Sequence, residues 1–173
     1  MENYLLLKRT KEAEELSKRL GFEKALFLDS ELALVKGSKA KELLEEVKNA
    51  KRKKLKTVYF AFGEEMLRFA LEKSEVDIIL GMEKIFAKDS LHYLKSGLDQ
   101  ILCKIALDKN KIIGFSVQEI LDAKERSKLL ARIRFNIHLC KKYKVKMLFG
   151  NFSREIYAMR SAKDLDAMLR VLG

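Results

Sequence analysis

The side chains best equipped for chemistry are few and widely spaced. The 173 residues include two histidines, His92 and His138, and two cysteines, Cys103 and Cys140. A catalytic metal centre needs several imidazole nitrogens and carboxylate oxygens converging at strand ends. Two histidines do not supply that set, so no bound metal and no catalytic residue are expected. The cysteines fit no metal-ligand spacing and each lies in an apolar helical pattern, which makes them buried thiols of a reducing, cytoplasmic interior. No Gly-x-Ser-x-Gly elbow, phosphate-cradling Gly-x-x-x-x-Gly-Lys-Ser/Thr loop or Gly-x-Gly-x-x-Gly turn occurs. What the chain has in quantity is cations, 36 Lys and Arg against 25 Asp and Glu. Residues 36–56 hold nine cations against three acids (+6) and residues 104–146 hold twelve against four (+8), so the remainder of the +11 chain totals −3. Charge gathered into two blocks suits a polyanion surface. The competing reading is a solvated, lysine-rich exterior.

The elements that must present these cations follow from periodicity. A long helix is predicted from about Ala123 to Tyr143. With Ile133 at the centre of its apolar face, Leu129, Leu130, Ile137 and Cys140 fall within about 60° of it at 100° per residue. Lys128, Phe135, His138 and Lys142 then point the opposite way, with Arg132 and Arg134 on the flanks. An aromatic ring among outward cations suits base stacking and phosphate contact; equally, Phe135 would pack on a neighbouring outer helix. The first basic block lies on a helix capped by Ser38 and running to about Lys53, with Leu43, Leu44 and Val47 inward. Lys51, Arg52, Lys53 and Lys54 close that block.

Strands are predicted at Tyr4 to Leu7, Lys24 to Asp29, Leu32 to Val35, Thr57 to Phe62, Val76 to Leu80, Ile112 to Phe115 and Val145 to Phe149. Helices lie between most of them: Thr10 as N-cap of a helix to Leu20, Glu64 to Lys73, Val117 to Leu121 and Lys163 to Leu172. Met82 to Lys95 is the least regular stretch and, lying past a strand end, is a natural place for function. Ser96 and Gly97 read as the start of an apolar helix with Asp99 in its first turn and Leu98, Ile101, Leu102 and Ile105 at helical spacing, a helix buried on more than one side. Strand–helix alternation without hairpin signals argues for a parallel α/β sheet in one domain, residues 1–173. A full eight-unit barrel usually needs about 250 residues, so a barrel here has short loops or a missing helix. The apolar runs are too short and too often broken by charge to cross a membrane, and the N-terminus lacks a signal-peptide pattern.

The segment Ser96-Gly97-Leu98-Asp99, followed by Lys104 and Ala106, resembles a signature of archaeal ribonuclease P protein component 3, the counterpart of the thirty-kilodalton subunit of the eukaryotic enzyme. A second segment, Met159-Arg160-Ser161-Ala162-Lys163-Asp164-Leu165, is similar to the family's opening of the last helix, with Ala162 where the family has Pro. The likeness covers roughly Val76 to the C-terminus. It implies a TIM-barrel-like (β/α) fold of about seven mostly parallel strands with outer helices, related to the PHP phosphoesterases and abbreviated in its N-terminal half. It also implies a non-catalytic subunit that binds and stabilises the RNA of an endoribonuclease, the RNA removing the 5′ leader of precursor tRNA with Mg2+. Implied partners are ribonuclease P RNA, ribonuclease P protein component 2 in a two-plus-two heterotetramer, other ribonuclease P proteins and, indirectly, precursor tRNA. Lys104, Lys109, Lys144 and Arg160 look like counterparts of the family's basic positions; Tyr93 and Gln100 stand where it often has Arg and His. Two other readings remain open on the residues alone: a stand-alone PHP-like barrel phosphohydrolase, and a basic α/β module for another RNA.

Overall fold

The computed structural model describes all 173 residues. Its strands are β1 (Glu2–Lys8), β2 (Lys24–Leu28), β3 (Leu32–Val35), β4 (Lys56–Phe60), β5 (Ile78–Leu80), β6 (Ile112–Ser116) and β7 (Lys146–Gly150). They form one sheet in sequence order, and every neighbouring pair is parallel. The helices are α1 (Lys11–Arg19), α2 (Ala40–Arg52), α3 (Glu64–Lys73), α4 (Gln100–Asp108), α5 (Val117–Asp122), α6 (Arg126–Lys142) and α7 (Ala162–Leu172). All seven predicted strands and the predicted helices are present, and the architecture is TIM-barrel-like.

The sheet curls until its edges meet. Phe152 donates its backbone N–H to the Tyr4 carbonyl (2.8 Å) and Leu6 to the Ser153 carbonyl (2.9 Å), joining the segment after β7 to β1. Inside the curl lie Tyr4, Leu6, Leu26, Leu32, Val58, Ile78, Leu80 and Phe152. The larger core lies between the sheet's outer face and the helices. Alternate residues of each strand serve the two, as the pleat requires: Val58 faces inward and Tyr59 outward, Ile78 inward and Ile79 outward. A Cβ on Gly114 of β6 would collide with Leu80 and crowd Ile78, so glycine leaves the space those side chains fill.

The abbreviation lies between β2 and β3, which are joined by three residues and no helix. They pair only at Leu28 and Leu32. A parallel pair normally needs a crossover of a dozen or more residues; here the chain turns a corner instead. Asp29 takes φ +64° there, and the Glu31 carboxylate accepts from the Phe27 amide (2.9 Å).

Several predicted boundaries move. Asp99, not Ser96 or Gly97, caps α4: its carboxylate accepts from the Leu102 amide (2.8 Å), while Gly97 at φ +87° sits so close to the Met82 carbonyl that no side chain fits. Nor is α4 buried around its girth, since Ile101 and Leu107 are 54% and 47% exposed and only Leu102, Cys103 and Ala106 are fully covered. On α2 the cap position is Lys39, Ser38 engages Glu42, and Leu44 is exposed where Ala50 is buried. Strand β5 begins at Ile78 because Asp77 is drawn across to Thr57, accepting from its amide (2.7 Å) and hydroxyl (2.8 Å). The long helix starts three residues late, at Arg126, whose guanidinium binds the last carbonyls of α5. Cys103 of α4 and Cys140 of α6, distant in sequence, are both fully buried in the core between sheet and helices.

Candidate nucleic-acid interface

In a parallel sheet with outer helices, every helix-to-strand turn falls at the strand-entry end. Three of these turns share a sequence: Lys54-Leu55-Lys56 enters β4, Lys109-Asn110-Lys111 enters β6 and Lys144-Val145-Lys146 enters β7. Each turns through one residue of positive φ, respectively Lys54 (57°), Asn110 (53°) and Lys144 (57°). That residue sits just past its helix, where the left-handed conformation ends the helical hydrogen bonding. The fold therefore brings Lys53, Lys54, Lys109 and Lys144, taken from two separate basic blocks, to one end of the barrel, and Lys51, Arg52 and Lys142 lie on the last turns of helices leading there. A cleft of about 560 Å³ opens among the turns, lined by Lys56, Lys73, Lys109, Lys111 and Lys146 together with Glu72, Glu75 and Asp77.

The cations at this end divide into anchored and free. Lys51 pairs with Asp77 at 2.6 Å. Burial alone would raise the Asp77 carboxyl, yet hydrogen bonds from Lys51 and Thr57 hold it below the ordinary carboxylate value. Lys111 is 6% exposed and its ammonium donates to the Ser74 and Val76 carbonyls; burial lowers its pKa. Lys56 lies over the Tyr4 ring, 5.2 Å from its centroid, and donates to the Tyr4 hydroxyl. By contrast Lys53, Lys54, Lys73, Lys109, Lys144 and Lys146 are exposed and make no ion pair. Six free ammonium groups on the rim of one end can bind phosphates along a backbone; their charge is not already neutralised by the protein. Sequence reading missed Lys56, Lys73, Lys111 and Lys146. The signal that would have found three of them is the Lys-x-Lys repeat before β4, β6 and β7.

On α6 the expected outward cations are corrected at two positions, Arg132 and Lys128, both of which turn to residues 82–96. Arg132 is 4% exposed, and its guanidinium is spent on the irregular stretch that follows β5. It donates to the carbonyls of Glu83 (2.9 Å) and Phe86 (2.7 Å) and twice to Asp89 Oδ1 (3.0 and 2.7 Å). These bonds hold the Asp89 carboxyl below its ordinary pKa. Lys128 donates to the Ala87 carbonyl (2.8 Å) and Asn136 to that of Ser96 (2.8 Å). So α6 fixes residues 82–96 in place, and Arg132 is part of the fold rather than a free cation. Arg134, Phe135, His138 and Lys142 are exposed as expected, as is Lys104 on α4. Phe135 lies beside Leu94 and Leu139 in an apolar groove that shares no residue with the lysine-rimmed cleft. Arg160 belongs to neither. It precedes α7 at the strand-exit end, and its guanidinium folds over the carbonyls of its own turn at 3.2–3.4 Å.

The strand-exit mouth, where α/β barrels carry their chemistry, holds a different group. Glu119 is buried and paired with both Lys84 and Arg154, the latter at 2.6 Å. Beneath it Glu83 is 1% exposed, with neither carboxylate oxygen hydrogen-bonded; burial raises its pKa to about 7, and the nearby charge of Glu119 adds to the rise. No three His, Cys, Asp or Glu side chains converge closely enough to hold a metal ion. His92 and His138 are both exposed, on different hollows of the outer surface. No helix is long and apolar enough to cross a membrane.

Comparison with known proteins agrees with this architecture. No family model matches the sequence. A ribonuclease P protein component 3 of Methanosarcina barkeri is 30% identical over 113 residues, 64% of this chain and 44% of that protein. The protein of the same name from Methanocaldococcus jannaschii is 28% identical over 141 residues, 80% of this chain and 57% of the relative. The chain thus aligns with about half the length of the relatives it matches. A chain in a cryo-EM structure of archaeal ribonuclease P with mature tRNA superposes with a TM-score of 0.84 at 22% identity, covering 99% of this chain and 82% of that one. An amidohydrolase shares the fold more distantly, at a TM-score of 0.56 and 12% identity. The chain is thus similar in sequence to ribonuclease P protein component 3 of these archaea, and in fold to a chain of the archaeal ribonuclease P structure.

Proposed function

We propose that this protein is a subunit of ribonuclease P that binds and stabilises its RNA through the strand-entry rim. The observation that carries this is the placement of the three Lys-x-Lys turns, before β4, β6 and β7, at one end of the barrel, with six unpaired lysines there. Such a surface reads phosphate spacing, not base identity. The chemistry then belongs to the RNA and its Mg2+, and this chain supplies no catalytic residue. The kinship also supports a protein partner, ribonuclease P protein component 2, in a two-plus-two assembly, with other ribonuclease P proteins and precursor tRNA meeting this chain through the particle.

Reconstituted cleavage of precursor tRNA tests it. The purified chain alone should leave the substrate intact with Mg2+ or Mn2+, and adding it with component 2 to ribonuclease P RNA should raise 5′-leader cleavage at low Mg2+. A variant with Lys53, Lys109, Lys144 and Lys146 replaced by Ala should lose most of that gain. Site-specific cleavage by the protein without RNA, or full stimulation by the variant, would overturn the reading.

A further inference from the structure

The strand-entry cleft has a neighbour on the outside of the barrel. A groove of about 620 Å³ lies between α2 and the end of α3 and shares Lys73 and Glu75 with the cleft, so the two hollows adjoin at the turn that leads from α3 to β5. Lys48 and Arg52 line the groove one turn apart on α2, about 5–6 Å between Cβ atoms, and both are exposed. Neither they nor Lys73 makes an ion pair. The acids along this path do not balance its cations. Five lysines line the cleft and Lys48, Lys51 and Arg52 add three in the groove, eight against Glu72, Glu75 and Asp77. Glu72 is paired with Arg68, outside the path, and Asp77 with Lys51. Lys56 and Lys111 are committed to Tyr4 and to backbone carbonyls. What is left is five free cations, Lys48, Arg52, Lys73, Lys109 and Lys146, facing one free carboxylate, Glu75. The other acids of α2 lie outside the lining, and Glu42 and Glu46 among them are bonded to the turn before the helix.

We propose that the RNA backbone bound at the strand-entry rim continues over its edge into this groove, with phosphates on Lys48, Arg52 and Lys73. The proposal rests on the reading of the rim as an RNA surface and extends it to a site outside the Lys-x-Lys turns. Lys73 belongs to both hollows and is where a strand leaving the cleft enters the groove. The groove suits a polyanion better than a protein. Leu44 and Val47 are its only apolar lining, and Val47 is 2% exposed, so a protein partner finds almost no apolar area to bury there. Phosphates need none; they gain from free ammonium and guanidinium groups and from the counterions released when the charges meet. Contacts of this kind position a backbone without reading bases.

Binding of ribonuclease P RNA to the whole chain across a salt series provides the test. The groove variant, Lys48→Ala with Arg52→Ala, should melt like the wild type, since both side chains are exposed and unpaired. Its log–log slope should be shallower by ~0.7 to 0.9 for each phosphate no longer neutralised. A control that removes the same charge from the starts of α1 and α7, Lys11→Ala with Lys163→Ala, should keep the wild-type slope; both residues are exposed at the strand-exit end. Leu44→Glu keeps every cation but sets a carboxylate in the path, and should bind several-fold more weakly than Leu44→Gln, which covers the case in which the groove variant misfolds. Replacing Lys53, Lys109, Lys144 and Lys146 by Ala in parallel separates this claim from the one it rests on. A wild-type slope in the groove variant beside a shallower one in the rim variant would overturn the groove and leave the rim standing; wild-type slopes in both would remove both. An equal loss in the Lys11 and Lys163 control would also overturn the proposal, because net charge and not the groove would then set the slope.

Discussion

Arg132 and Arg134 are two residues apart on one helix and look interchangeable in sequence. Helical angle put both on the flanks of α6; the structure buries one and exposes the other. The difference is set by residues 83–89, which offer two carbonyls and a carboxylate to one side of the helix only. Replacing Arg132 by Ala leaves those acceptors covered without a donor and should cost about 2–4 kcal/mol of unfolding free energy, against less than about 0.5 kcal/mol for Arg134→Ala. Denaturant titration of the two variants checks this; equal midpoints would contradict it. Glu83 gives a second residue-scale expectation. Its folded pKa of about 7 lies above the ordinary 4.5, so between those values the folded state holds a proton that the unfolded chain has released. Its contribution to stability is intact below the lower value and lost as pH rises through the higher one, about 3 kcal/mol in all. Glu119, Lys84 and Arg132 are the charged groups around it. Thermal unfolding between pH 5 and 8 should therefore show a decline that Glu83→Gln flattens; an unchanged slope in the variant would mean that Glu83 does not titrate in this range. None of this was legible in the sequence, where Glu83 is one acid in an irregular loop and its burial depends on α5 and α6.

At the scale of elements the sequence was far more informative. Alternating apolar runs and amphipathic stretches located every strand, because a strand covered on both faces must be apolar throughout. Errors gathered at helix starts. Ser96 and Ser38 have the right chemistry for caps, but Asp99 and the Lys39–Glu42 turn lie at the positions where the backbone leaves its extended conformation. Gly114 was legible as glycine in a strand, though not the reason for it. Gly114→Ala should cost ~1–3 kcal/mol by overpacking Leu80 and Ile78. Gly63→Ala, where an added Cβ meets nothing within 4 Å, should cost less than about 1 kcal/mol through the cap alone. Thermal melts of the pair decide it, and a Gly114→Ala protein as stable as Gly63→Ala would show the interior to be loosely filled. The Lys-x-Lys turns were visible letter by letter and still went unread as a set, since their common placement appears only once the strands are parallel and in order.

For the whole molecule, the abbreviated first half still closes the curl, through the hydrogen bonds between residues 152–153 and β1. Closure leaves two distinct exteriors: an end ringed by free lysines, and a helical side carrying the apolar groove. The basic blocks of the sequence map mainly to the first, because helix C-termini and strand starts meet there; Arg132 and Lys128 are drawn off to hold the 82–96 segment. Phosphate binding at the lysine end is therefore the claim on which the rest depends, and the salt dependence of RNA affinity measures it. Dissociation constants for ribonuclease P RNA across a salt series should fall on a straight line in log–log form, and the variant lacking Lys53, Lys109, Lys144 and Lys146 should melt like the wild type. Its slope should be shallower by ~0.7 to 0.9 for each phosphate that the variant no longer neutralises. A folded variant with the wild-type slope and affinity would contradict the account and place RNA binding elsewhere on the molecule.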